Sequence, residues 1–370
     1  MIKLLYITNQ ICGPGGLERV LSIKTRYLSE NLGYDITILT LNQGESSIFY
    51  EFSDKIKYLD ITAKGNPLQY FTNYRTGIKK AIEEINPDIV LVCDDGIKGL
   101  LLPIIIGKAK PMIYERHVSK NIEKRKEKLP FLDQLFTKIK FKIMEYGGKQ
   151  YDKFVVLTEG NKKEWNLKNL EVIPNPLSFY PEELSTLQNK KVLAVGKQSY
   201  QKGYDRLLKS WKIVNEKFPD WKLEVYGKID PSQKLDQLAK DLKISESVSF
   251  FPPTKQISEK YKEASIYVMS SRYEGFGMVL TEAMAYGVPC VSFNCPYGPS
   301  DIIANREDGL LVENDDIKKL GQSIIQLIEN KELRIQMGQK ARKSVKRYLP
   351  EKIAEQWDQL FSDILHNSSL

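Results

Sequence analysis

Short apolar, β-branched runs alternate with longer amphipathic stretches along this chain, and halfway along the alternation starts afresh. Strands buried on both faces need such apolar runs, and a parallel neighbour is reached only through a covering crossover, usually a helix. The pattern predicts an α/β fold built of β-α-β units. The first series of strands is expected at Lys3–Thr8, Asp35–Leu41, Asp88–Cys93, Met112–Arg116, Phe154–Thr158 and Val172–Pro174. After the polar stretch Pro181–Asn189 a second series follows at Lys191–Val195, Lys222–Val225, Val248–Phe251, Ile266–Met269, Cys290–Phe293 and Leu310–Val312. Each series opens strand–glycine–helix, so two similar lobes are expected, 1–180 and 190–345, meeting near 177–190. A length of 370 residues suits two cores better than one. The segment Glu351–Leu365, after the break at Pro350, carries Ile353, Trp357, Leu360, Phe361 and Ile364 on one helical face. A helix over 350–366 is expected to cross back to the first lobe.

Several classes of chemistry are excluded early. Only two histidines exist, His117 and His366, so no multi-histidine metal cage can form. No D-x-D occurs, which removes the simplest carboxylate cradle for a metal–nucleotide pair. The expectation is a reaction without metal or other cofactor. Cys12, Cys93, Cys290 and Cys295 show no C-x-x-C spacing and are expected as reduced thiols. No run approaches the ~18 apolar residues of a membrane span. The opening MIKLLYITNQ turns polar too soon for a secretory leader. Together these point to the cytoplasm.

In open α/β sheets ligands sit beyond the carboxyl ends of the strands, and with two lobes the expected site is the cleft between them. The residues following each strand therefore matter most. After the strand at 266–269 comes Ser271-Arg272-Tyr273-Glu274-Gly275-Phe276-Gly277-Met278-Val279-Leu280-Thr281-Glu282, then a helix closing at Gly287. A glycine turn at a helix N-terminus exposes N–H groups that, with the helix dipole, favour a phosphate. Glu274 lies just outside this helix and Glu282 more than a turn inside, depths at which two carboxylates can hold different hydroxyls of one long ligand. A strand–turn–helix with one capping and one solvated acid is the plainer account.

The span Glu274-x7-Glu282, with G-F-G between and E-A-M-A-x-G-x-P after, resembles the donor motif of retaining glycosyltransferase family 4. The resemblance implies the GT-B fold, two Rossmann-like, doubly wound lobes facing a central cleft, with the sugar nucleotide held by the second lobe. It implies that Glu274 meets sugar hydroxyls, the backbone from Gly275 through Phe276, Gly277, Met278 and Val279 to Leu280 meets phosphate, and Glu282 meets the ribose. Gly196-Lys197-x4-Lys202-Gly203 stands where the family usually has G-R-x4-K-G. Lys197 replaces the usual arginine, keeping the charge and losing the bidentate fork. Fixed cations here would stabilise a departing nucleotide diphosphate.

In the first lobe Gly13-Pro14-Gly15-Gly16 follows the first strand, without the G-x-G-x-x-G spacing of a dinucleotide site. By the resemblance, Gly15 and Gly16 let the backbone approach donor phosphate or acceptor. His117 lies just past a strand end, and the family often has a histidine there, near the donor sugar; its implied role is polar positioning. Thr158 matches a recurrent position and is expected either to line the acceptor site or to cap an element. The loop Pro296-Tyr297-Gly298-Pro299-Ser300-Asp301 is similar to one in members that use UDP-hexoses or UDP-N-acetylhexosamines; a Ser300-capped helix is its plainer account.

Residues 119–153 carry ten basic side chains (Lys120, Lys124, Arg125, Lys126, Lys128, Lys138, Lys140, Lys142, Lys149 and Lys153) against five acidic ones, five of the chain's eight net positive charges. Phe131, Leu132, Leu135, Phe136, Ile139, Phe141 and Ile143 are interleaved. Such a basic amphipathic stretch suits either a solvated helix packed by its apolar face or an anionic membrane surface, on the inner face of the plasma membrane, where a lipid-linked acceptor would lie. No nucleic-acid motif accompanies the charge. The expected reaction moves a hexose or N-acetylhexosamine from a UDP-sugar to a saccharide hydroxyl with retention, in the building of capsule or O-antigen-type polysaccharide. The rivals are a sugar-nucleotide 2-epimerase, which needs no acceptor, a non-catalytic sugar-nucleotide-binding partner subunit, and a hydride-transfer dehydrogenase, against which the glycine spacing speaks.

Overall fold

The computed structural model describes residues 1–120 and 131–368. Two units divide the chain. One contains residues 1–178 together with the helix Pro350–Ser368; the other is Phe179–Leu349.

In the first unit, strands β1 (Lys3–Thr8), β2 (Asp35–Leu41), β3 (Lys57–Ile61), β4 (Ile89–Cys93), β5 (Met112–Glu115), β6 (Lys153–Val156) and β7 (Leu170–Val172) form a parallel sheet in the order β3-β2-β1-β4-β5-β6-β7. The second unit repeats the scheme with β8 (Lys191–Val195), β9 (Lys222–Tyr226), β10 (Val248–Phe251), β11 (Ile266–Met269), β12 (Cys290–Asn294) and β13 (Gly309–Glu313), ordered β10-β9-β8-β11-β12-β13. Both sheets wind outward from their first strand in two directions, the doubly wound, Rossmann-like arrangement. Each therefore has a switch point, between β1 and β4 in one and between β8 and β11 in the other.

The central strands are apolar and buried throughout, β4 as Ile-Val-Leu-Val-Cys and β11 as Ile-Tyr-Val-Met, because helices cover both faces. Strand β3 has no counterpart in the expected series. It is an edge strand, Lys-Tyr-Leu-Asp-Ile, whose first four residues are exposed. Its half-polar sequence carries no buried-strand signature. Elsewhere the expected strands coincide with the observed ones or shift by one or two residues at their ends.

The helix Pro350–Ser368 belongs to the first unit, where it lies against the helix Gly16–Asn31. Its apolar face, Ile353, Trp357, Leu360, Phe361 and Ile364, is buried. The Tyr34 hydroxyl donates to Asp358, and the Tyr34 and Phe361 rings meet edge-on at 5.5 Å. The four cysteines are unpaired, and all but Cys12 are buried.

Candidate active site

In the second unit the loops leaving β8 and β11 meet at the switch point. The Nζ of Lys202 lies 2.7 Å from Oε1 of Glu274, and the same oxygen accepts from the Ser271 hydroxyl at 2.5 Å. Glu274 is buried and the Lys202 side chain is 20% exposed. Oε2 of Glu274 accepts no hydrogen bond among the described residues, so one face of a fixed carboxylate is left for a ligand hydroxyl. Ser271 was missed in the sequence; a serine three residues before the glutamate is its only signal.

Glycines set the approach of these loops. Gly203 has φ 62°, and a Cβ there would stand 2.4 Å from the Ser270 carbonyl oxygen. The buried Arg206 ties the same corner together. Its guanidinium donates to Ser270 O at 2.6 Å and to Asn314 and Asp315 at 3.0 and 3.2 Å. Burial, then the neighbouring Arg272, lower the Arg206 pKa. Arg272 in turn grips Asp205 with both nitrogens, at 2.9 and 2.8 Å. Gly203→Ala should destabilise the second unit by about 1–3 kcal/mol, from left-handed backbone plus the clash. A thermal unfolding midpoint unchanged by that substitution would contradict the close packing described.

Gly196, with φ 154°, is held by the Tyr204 hydroxyl, which donates to its carbonyl at 3.0 Å. Lys197 follows, exposed, and adds positive charge near Asp230. Gly277 (φ 102°) precedes the helix Met278–Ala285, so the N–H groups of Met278 and Val279 have no intrahelical partner by position. Both residues are partly exposed, while Gly275, Phe276, Gly277 and Leu280 are buried. The Phe276 ring packs edge-on against Tyr348, so only its backbone remains for a ligand. Glu282 is not a member of the Lys202–Glu274 pair. Its carboxylate is buried and accepts from the Tyr261 hydroxyl at 2.8 Å.

The loop after β12 is sewn to the glutamate: Glu274 N donates to Pro296 O at 2.9 Å and Tyr297 N to Glu274 O at 3.2 Å. A Cβ on Gly298 (φ 107°) would fall 2.0 Å from Phe276 O. Gly298 caps the short helix Pro299–Ile302, with its N–H donated to Asp301. Ser300 lies inside that helix and is not its cap, because the left-handed glycine starts the turn two residues earlier.

The first unit has its own constellation beyond β1, β4 and β5. Gly15 caps the helix Gly16–Asn31, and Gly16 has open space around its Cα. The Glu18 carboxylate sits over the loop, where a Cβ on Gly13 or Gly15 would come within 2.6 or 2.4 Å of it. Burial raises the Glu18 pKa, and the charge of His117 opposes the rise. The His117 side chain is 6% exposed, with Nε2 at 3.3 Å from Oε2 of Glu115. Both oxygens of Glu115 accept from the Lys24 ammonium, at 2.6 and 2.5 Å. Burial alone would raise the Glu115 pKa; Lys24 and His117 outweigh it and bring it to about 2. Cys93, Glu115 and His117 place three donor atoms within 4.8 Å of one another. Lys24 already supplies the cation at that carboxylate. Thr158 is buried; its hydroxyl accepts the Asn161 N–H at 2.9 Å and caps the helix Glu159–Lys162.

The basic stretch continues in the helix Phe131–Gly148. Leu135, Phe136, Ile139, Ile143 and Tyr146 form one exposed apolar stripe, with Lys138 and Lys142 exposed beside it. Met144, Gly147 and Gly148 face the core instead. Lys124, Arg125, Lys126 and Lys128 lie outside the described residues. No helix among the described residues is long and apolar enough to cross a membrane.

Comparison with known proteins places this geometry. Residues 180–344 match the family model of glycosyl transferases group 1, and residues 23–147 match glycosyl transferase 4-like. An uncharacterized glycosyltransferase of Haemophilus influenzae is 32% identical over 96% of this chain and 99% of its own. The amylovoran biosynthesis glycosyltransferase AmsD of Erwinia amylovora is 31% identical over 98% of this chain and all of its own. The crystal structure of Anabaena HepE in complex with UDP superposes with a TM-score of 0.80 at 17% identity, covering 98% of this chain and all of that one. The chain belongs to the family-4-type glycosyltransferases of GT-B architecture.

Proposed function

We propose that this glycosyltransferase moves a hexose or N-acetylhexosamine from a UDP-sugar to a hydroxyl of a lipid-linked saccharide, with retention, during assembly of a bacterial surface polysaccharide. The observation that carries the reading is the Lys202–Glu274 pair at the second switch point, a cation and a half-free carboxylate fixed side by side. The polysaccharide role of AmsD and the UDP bound by HepE support the acceptor and donor classes.

In this reading Lys202 and Lys197 face the diphosphate, together with the N–H groups that open the helix Met278–Ala285. Oε2 of Glu274 accepts from a sugar hydroxyl, and Glu282 takes the ribose end. The anomeric C–O bond to phosphate breaks, and the acceptor oxygen bonds to the anomeric carbon on the same face. The acceptor's proton passes to the departing phosphate oxygen. Charge grows on that oxygen as the bond breaks, so fixed lysines act most strongly where the reaction needs them, and no metal is called for. In the first unit His117, Gly15 and Gly16 are read as substrate contacts. A covalent route would need a carboxylate roughly 5 Å across the sugar, and none of the matched motifs supplies one. A panel of sugar nucleotides screened for protection against thermal unfolding tests the donor class; protection by UDP-sugars is expected, and protection by none of them would sink it.

The exposed stripe on the helix Phe131–Gly148 supports a membrane-surface station, because its apolar side chains and lysines share one exposed region. Flotation with vesicles containing anionic lipid is expected to carry the protein, and neutral vesicles should carry much less. Replacing Phe136 and Ile139 by serine should abolish the difference; equal flotation on both vesicle types would remove the idea.

A further inference from the structure

Nδ1 of His117 has no hydrogen-bond partner among the described residues, although the side chain is only 6% exposed. Buried polar groups are nearly always satisfied, and an exception marks a group kept for something absent from the free chain. The surroundings of the ring are nonetheless elaborate. Its backbone N–H donates to Asp95 at 3.1 Å, fixing the residue just past β5. Two positions earlier, on the same side of the extended chain, Glu115 brings Oε2 to 3.3 Å from Nε2. Glu115 is held in place by Lys24, whose ammonium lies over the Tyr6 ring at 4.9 Å and the Trp357 ring at 4.1 Å. Trp357 comes from the helix Pro350–Ser368, so that helix seals the pair from water. The other charged or titratable neighbours are Glu18, which senses the ring's charge, and Cys93, whose thiol burial pushes upward and keeps protonated.

A neutral imidazole has one N–H and one bare nitrogen, and the nearer partner decides which is which. A fixed carboxylate beside Nε2 attracts an N–H and repels a lone pair. We infer that Glu115, anchored by Lys24 and covered by Trp357, is a positioning residue that keeps the proton of neutral His117 on Nε2 and leaves Nδ1 bare to accept from a substrate hydroxyl. This rests on the reading of His117 as a substrate contact; the tautomer itself does not. The histidine thus recognises a donor group, and a substrate lacking that hydroxyl is selected against.

The chain's small histidine content makes the test direct. His366, exposed on the last helix, is removed as His366→Gln, and the protein is labelled with ¹⁵N-histidine. At alkaline pH the remaining ring is expected to show a protonated Nε2 and a bare Nδ1. In Glu115→Gln the amide oxygen stays on the Lys24 ammonium and turns its NH₂ toward Nε2, so the population should move to the other tautomer. The kcat should fall by roughly 10–100-fold while KM changes little. Should Glu115→Gln not fold, Lys24→Met with Glu115→Leu removes the pair together, and a mixture of tautomers is expected. A wild-type ring protonated on Nδ1, or a tautomer indifferent to both replacements, overturns the inference. The stated tautomer together with unimpaired turnover in His117→Ala would instead overturn the substrate-contact reading alone.

Discussion

Lys202→Ala should lower turnover about 10²–10³-fold, the scale for removing one oriented stabiliser of developing charge, and Glu274→Ala should cost a similar factor. The lysine follows β8 and the glutamate follows β11, and their 2.7 Å contact already exists without a ligand. Each group is therefore already fixed by the other in the free protein. The two losses should also fail to add. Removing the carboxylate releases the ammonium, and removing the ammonium leaves Ser271 as the only side-chain donor to Glu274 among the described residues. The double variant should be clearly more active than the product of the single effects implies. Rates of UDP release with a suitable acceptor give all three numbers, and near-normal turnover in both single variants would contradict the assignment.

Lys24→Ala should destabilise the first unit by about 3 kcal/mol at neutral pH, because breaking a buried pair strands the remaining charge. The depressed pKa of Glu115, about 2 against an ordinary 4.5, fixes the pH dependence. A lowered folded-state pKa gives stability that is fully present above 4.5 and is lost as pH falls through about 2. The alanine variant lacks the main partner holding that carboxyl ionised, so Glu115 can take up a proton instead. The gap between wild type and variant should therefore be widest at neutral pH and narrow as pH falls below 4.5 toward 2. Urea unfolding at neutral and acid pH measures it; a gap that widens on acidification would exclude the ion pair as its source.

The parts of this fold legible in sequence are those with strong local periodicity. Buried parallel strands announce themselves as apolar runs, and β4 and β11 are found within a residue or so of their expected limits. Strand β3 escaped because an edge strand with exposed side chains has no reason to be apolar. The glycine turns and Lys202–Glu274 were legible as motifs, since they sit at fixed spacings just after strand ends. The Lys24–Glu115–His117 chain was not. Its members are 91 residues apart in one case and two apart in the other, and a lysine inside an amphipathic helix looks like any solvated lysine. Burial under Trp357 is what distinguishes it, and only the fold brings a residue from the last helix to one near the start.

The first unit is discontinuous in sequence, with residues 1–178 joined by the helix Pro350–Ser368 only after the whole second unit. Residues 179–349 form a contiguous second unit, synthesised in full before the helix Pro350–Ser368 is made. Until that helix arrives, the flank of Gly16–Asn31 lies bare and the ammonium of Lys24 has no indole above it. A nascent chain thus holds its first sheet in waiting through the synthesis of an entire second one, and the arrival of the closing helix is the event that completes the first unit.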